Sequence, residues 1–182
     1  MNKRTKYLIL ASLVPILILL GMTVTPLYTL YKGKEIMLQT IPVDPSDPFR
    51  GDYVSLRFAV EEVPTGLVEK DILDQKDELY DARVYVSLKE QDGIYVPTRV
   101  SLDKPDKGIY LKGNLQYFGR AWDPVKQMET EEVAFIQYSI DKYFVEDNTG
   151  TEWEKASVKG EIVARAKVFN GYVYLIDIKT KD

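Results

Sequence analysis

The first thirty-one residues set the boundary conditions for everything that follows. A basic cap (Lys3, Arg4, Lys6) runs into an uncharged stretch from Tyr7 to Tyr31, YLILASLVPILILLGMTVTPLYTLY. A hydrocarbon core about 30 Å thick takes roughly 20 apolar residues in a helix, so this stretch is long enough to cross a bilayer. Three cations precede it and no acid occurs before Lys32, and the positive-inside rule then keeps the N-terminus in the cytoplasm. Lys32 and Lys34 weaken that asymmetry without reversing it. A cleavable signal peptide opens in the same way, but no A-x-A-like site follows the apolar run. The nearest small-residue stretch, Gly21-Met22-Thr23-Val24-Thr25-Pro26, ends in proline. Apolarity then continues through Leu27 and Leu30, and the rings of Tyr28 and Tyr31 suit the membrane interface. Pro15 is tolerated in such a helix because neighbouring groups re-satisfy the freed carbonyl. The expectation is a retained single-pass anchor in the cell membrane: residues 1–6 form a cytoplasmic cap, 7–31 the span and 32–182 an extracytoplasmic domain.

Composition restricts what that domain does. The 151 residues after Tyr31 make about one ordinary domain. They carry 21 Lys and Arg against 28 Asp and Glu, a formal charge of −7. An acidic surface with no basic stripe repels phosphate backbones, so no nucleic-acid partner is expected. Cys is absent, and the domain must fold on its apolar core without disulfides. His is absent as well, which removes Ser-His-Asp and Cys-His catalysis and the usual Cys/His zinc sites. Carboxylates, Lys, Tyr, Ser and Thr are left for any chemistry. No cofactor, metal site or catalytic residue is assigned.

Past the anchor the dominant pattern is period-two alternation, the mark of half-buried strands. Strands are expected at Glu35 to Ile41, at Tyr53 to Val60 and at Ala82 to Leu88. In the second, Val54, Leu56, Phe58 and Val60 share one face; in the third, Val84, Val86 and Leu88 point inward. Gln91-Asp92-Gly93 turns the chain into Ile94 to Val100, because Asp-Gly accepts the positive φ of a tight hairpin. Pro97 cannot donate to a ladder and marks an edge or a bulge. Gly108 to Tyr117 and Val133 to Ile140 are further strands, with Arg120 to Glu132 between them as an exposed excursion. Ile162 to Val168 and Tyr172 to Ile178 flank Asn170-Gly171, the strongest short-range hairpin signal. Short helices are expected within Leu67 to Tyr80 and Gly150 to Val158. The fold class is mostly β: one antiparallel domain, a sandwich or partly closed barrel.

Residues 42–58 read PVDPSDPFRGDYVSLRF. Gly51-Asp52-Tyr53, Leu56 and the aromatic Phe58 resemble the motif of the bacterial GDYxxLxY family, and Asp44-Pro45 with Asp47-Pro48 resemble its upstream D-P-R-D-P element. Ser46 stands where that family usually has Arg, and Phe58 where it has Tyr. Tyr143-Phe144-Val145-Glu146 and the terminal glycine hairpin are also similar. The resemblance implies a membrane-anchored bacterial family without an assigned activity, sometimes encoded near multi-pass membrane proteins. Arg50-Gly51-Asp52-Tyr53-Val54 is similar, too, to the box opening a barrel strand in type I signal peptidases. Their Ser-Met-x-Pro element is missing, however, and Ser46 lies between two carboxylates that oppose alkoxide formation.

Read physically, two Asp-Pro steps stiffen the backbone from Asp44 to Pro48 and hold each Asp extended. Gly51 permits a turn and Asp52 caps it. The product is an acid-lined elbow, with Asp44, Asp47 and Asp52 and counter-charge from Arg50 or Arg57. Short polar side chains at turns usually serve the backbone. The functional alternatives are a carboxylate cluster for a hard cation, for which no known ligand ladder is matched, or a docking surface built from Asp44, Asp47, Arg50, Gly51, Asp52, Tyr53, Leu56 and Phe58. Two function classes follow. The first is a tethered accessory module that binds another membrane protein. The second is a hydrolase or transferase using the elbow carboxylates as acid and base. Tyr143 with Phe144, and the loop residues Trp122 and Trp153, are further contact candidates. Glu131-Glu132 and Glu152-Glu154 read as solvated charge.

Overall fold

The computed structural model describes residues 3–41, 53–76, 78–123, 128–140, 142–144, 153, 156 and 161–180. Helix α1 (Lys3–Lys32) runs unbroken for 30 residues through Pro15 and Pro26. Its segment Leu10–Lys32 has a mean hydropathy of 2.1, and its most apolar window is not buried by the rest of the chain. One helix is therefore long and apolar enough to cross a membrane.

Helix and β domain meet without a linker. Strand β1 (Lys34–Ile41) begins one residue after α1 ends. The residue between them, Gly33, donates its N–H to the Thr29 carbonyl at 2.8 Å. A Cβ there would lie 2.3 Å from that same oxygen, so the turn closes only around glycine. Lys167 Nζ donates to the Leu30 carbonyl at 2.5 Å, taking one of the carbonyls a helix C-terminus leaves unpaired. Tyr28 meets Phe169 edge-on with centroids 4.8 Å apart. The last turn of the helix is thus clamped onto the terminal hairpin.

The chain is mostly β, with two antiparallel sheets, one of them a half-barrel. In the four-stranded sheet, β1 lies between β10 (Ile162–Phe169) and β3 (Arg57–Phe58), and β11 (Tyr172–Thr180) lies outside β10. The five-stranded sheet runs β4 (Glu62–Pro64), β8 (Met128–Gln137), β7 (Ile109–Asp123), β5 (Ala82–Gln91), β6 (Ile94–Ser101). A separate ribbon pairs β2 (Tyr53–Ser55) with β9 (Lys142–Phe144). The alternating side chains meet in one cluster: Ile36 and Leu38 of β1, Ala164 and Ala166 of β10, and Val84, Val86 and Leu111 of the other sheet. The hydroxyl of Thr40, almost fully buried, is satisfied by the Ile162 carbonyl at 2.6 Å.

Both tight turns adopt the expected geometry. Asp92 and Gly93 have φ of 50° and 82°, and Asn170 and Gly171 have 48° and 78°, all in the left-handed region. Pro97 lies on β6, the edge strand, beside a register shift between Ser87 and Leu88. It meets both conditions under which a strand tolerates proline.

Two expectations need correction. The strand over Tyr53 to Val60 is broken: β2 pairs with β9, β3 pairs with β1, and Ala59–Glu61 is a single 3-10 turn. Period-two patterning persists across such a break because each piece still turns one face to the core. Arg120 to Glu132 is not a loop excursion, since Arg120 pairs with Glu132, Trp122 with Glu129 and Asp123 with Met128. Charged, exposed flanks conceal a ladder whose bonds are all backbone. Within Leu67 to Tyr80 the expected short helix is α2 (Lys70–Leu73), where Ile72 alone is buried, too little apolar surface to stabilise a longer one. Of Gly150 to Val158, only Trp153 and Ala156 fall among the described residues; both pack against the core.

Candidate functional site

The second half of the motif is a crossing between the two sheets. Phe58 pairs with Thr40 and Arg57 with Ile41 on the edge of the four-stranded sheet. After the 3-10 turn, Glu62, Val63 and Pro64 pair with Phe135, Ala134 and Val133 on the edge of the other. Leu56, Phe58, Val60 and Val63 are all buried, Phe58 completely. The turn between them is held by the Phe58 N–H donating to Glu61 Oε2 at 3.0 Å, and by the buried Tyr138 hydroxyl donating to the Val60 carbonyl at 3.1 Å. Burial, with the nearby Glu61 charge, pushes the Tyr138 hydroxyl well above its ordinary pKa. On the outer side Arg57 pairs with Glu62 at 2.5 Å. Burial raises the Glu62 carboxyl, and the Arg57 charge pulls it part of the way back.

This geometry sorts the sequence candidates. Leu56 and Phe58 are enclosed and present no surface. Tyr53 lies on β2, its backbone opposite Phe144, with Val54 opposite Tyr143. The ribbon therefore joins the GDY segment to the Tyr143-Phe144 segment, two motifs about ninety residues apart. Asp44, Asp47, Arg50, Gly51 and Asp52 lie outside the described residues, and so does any carboxylate chemistry at the elbow.

Tyr143 is half-buried, and its hydroxyl reaches the Ile176 carbonyl at 3.4 Å. Ile176 is the extra residue where the β10–β11 register shifts between Arg165 and Ala166, which frees its carbonyl from the ladder. Beside it Arg165 spans Asp177 at 3.3 Å and Glu35 at 3.6 Å. A groove of about 440 Å³, its wall both polar and apolar, runs between Tyr143 and β11.

Exposed apolar side chains lie elsewhere as well. Beyond α1, five large hydrophobic side chains are exposed among the described residues, and Tyr117, Trp122 and Met128 belong to the β7–β8 ribbon. Trp122 is 60 % exposed and Met128 54 %. Tyr117 stacks on Phe135 with centroids 4.4 Å apart, stiffening the ribbon's base. Thr130 donates to the Ala121 carbonyl at 3.1 Å. The sequence singles out Trp122 but not the ribbon that presents it, because the register shift between Arg120 and Trp122 breaks the period-two pattern there.

No curated protein and no solved structure matches the chain. The profile of the GDYXXLXY protein family matches residues 15–178, from inside the apolar helix to the last strand. On that match, spanning most of its length, the chain belongs to the GDYXXLXY family.

Proposed function

We propose that this protein is a membrane-tethered, extracytoplasmic accessory module that works by binding another membrane protein. The observation that carries the reading is the β7–β8 ribbon, which holds Trp122, Met128 and Tyr117 in solvent on a backbone-paired scaffold. Aromatic and Met side chains on a projecting element are the usual anchors of protein interfaces. The clamped helix supports it, because a domain fixed to its span presents the ribbon in one orientation and lowers the entropic cost of docking. Strand β7 starts beside the helix junction and extends about 45 Å at the usual strand rise. Charge asymmetry supports the topology: Lys3, Arg4 and Lys6 stay inside and the acidic domain passes outside.

A photo-crosslinking residue at Trp122, in the full chain and native membranes, is expected to capture a discrete membrane protein. The same probe at Lys70, on α2 outside the ribbon, is expected not to capture it. Trp122→Ala with Met128→Ala should abolish capture through a second probe at Tyr117 while leaving the domain folded. Identical adducts from Trp122 and Lys70 would sink the proposal. Carbonate-washed membranes should retain the chain, and protease outside spheroplasts should digest it beyond Lys32. A soluble form starting near Thr25 would remove the tether and the partner with it.

A further inference from the structure

The junction between α1 and the β domain holds a feature the interaction reading does not use. A cleft of about 260 Å³ opens there, lined by Lys32 and Lys34, the Gly108–Tyr110 segment and the Phe169–Gly171 turn. Lys32 and Lys34 are exposed, and neither has a carboxylate partner among the described residues. Lys112 closes the turn behind the cleft: its N–H donates to the Gly171 carbonyl at 2.8 Å and its side chain passes over that glycine. Lys167 is spent on the Leu30 carbonyl and holds the cleft against the helix end. Tyr110, in the cleft wall, is 7 % exposed, and its hydroxyl has no hydrogen-bond partner among the described residues. The domain as a whole is acidic, so a cluster of lysines at this one place runs against its overall charge.

We infer that this cleft binds the phosphate headgroup of an anionic phospholipid in the leaflet that the C-terminal end of α1 leaves. The inference rests on the tethered reading, since it needs Lys32 at the bilayer surface. There, Tyr28 and Phe169 pack together where an interfacial aromatic belt lies, and Lys32 and Lys34, whose ammonium groups lie over the rings of Tyr31 and Tyr95 and meet no carboxylate among the described residues, sit at headgroup depth. Lysine is a point charge suited to phosphate, and an orphaned tyrosine hydroxyl is a donor with nothing to donate to. The clamp at Gly33 and Lys167 makes the cleft's depth in the membrane a fixed property of the chain. A bound headgroup would then tie the domain's orientation to the lipid beneath it.

The test uses the full chain in nanodiscs of phosphatidylcholine containing a minor fraction of phosphatidylglycerol. Lipid retained on the released protein is counted by native mass spectrometry. Wild type is expected to retain phosphatidylglycerol selectively. Each lysine near an anionic surface contributes about fivefold, so Lys32→Gln with Lys34→Gln should cut that retention about 25-fold. Lys34→Glu, a single exposed change, should remove the selectivity as well. Lys70→Gln with Lys76→Gln, the same charge change away from the cleft, should leave retention as in wild type. Undiminished selectivity in both cleft variants overturns the inference. So does full displacement of the lipid by inorganic phosphate, which would make the cleft a site for the free anion. A chain that survives carbonate washing but shows no lipid preference sinks the cleft alone, whereas release by carbonate sinks the tether.

Discussion

Replacing Phe58 with alanine separates a motif that builds the core from one that builds a surface. Its side chain is fully enclosed between the sheets. A phenylalanine removes on the order of 150–200 Å² from water, and at about 25 cal/mol per Å² that transfer is worth about 4 kcal/mol. Measured Phe→Ala substitutions in cores cost about 3–5 kcal/mol once the residual cavity is included. A domain of this size holds a total of about 5–15 kcal/mol. The variant is therefore expected to lose a large part of its stability without changing any exposed residue. With a urea m-value of about 2 kcal/mol/M, the midpoint should fall by about 2 M. The assay is urea unfolding of the full chain in mild detergent, followed by tryptophan fluorescence. Leu56→Ala should behave similarly, with a cost of about 2–5 kcal/mol. Arg57→Ala, between them on the exposed side, should cost less than about 1 kcal/mol because its ion pair with Glu62 is partly solvated. A Phe58→Ala midpoint within about 0.5 M of wild type would refute the argument that the motif's second half is a packing element.

Other consequences follow from the same crossing and from the turns. Glu62 has a carboxyl raised above its ordinary 4.5 by burial, so its ionised form is the disfavoured one in the fold. Its contribution is fully present below that value and is lost as pH rises through the raised folded one. Unfolding midpoints of Glu62→Gln relative to wild type should therefore improve from about pH 4.5 upward; a pH-independent difference would contradict this. Tyr138→Phe strands the Val60 carbonyl and should cost about 1–2 kcal/mol near neutral pH. Because the Tyr138 hydroxyl is raised, wild type loses stability as pH climbs past the ordinary tyrosine range, and alkaline titration should narrow the gap. Gly93→Ala and Gly171→Ala both force a positive φ, at a cost of about 1 kcal/mol each. Gly93 faces open space, while a Cβ on Gly171 would lie 2.6 Å from both Lys112 and Tyr110, so thermal melts should show Gly171→Ala the worse of the two.

What could be read from the sequence was whatever depends on neighbours along the chain. The apolar length from Tyr7 to Tyr31 dictates a helix long enough to span a bilayer, because a bilayer has one thickness. Asp92-Gly93 and Asn170-Gly171 dictate hairpins because few residues accept two successive left-handed conformations. Alternation in Ala82 to Leu88 and Ile162 to Val168 dictates strands with one face inward. Pairing across distance was not legible. Nothing local says that β2 joins β9 or that Phe58 and Val63, five residues apart, belong to different sheets. Nothing local says that the charged run after Arg120 keeps its ladder, since backbone hydrogen bonds leave no mark on side-chain type. The junction shows the same division. The sequence determined that Lys32 and Lys34 follow an apolar helix. Only the fold brought Tyr110 and the Phe169–Gly171 turn beside them, because a cleft is made by strands that meet from opposite ends of the chain.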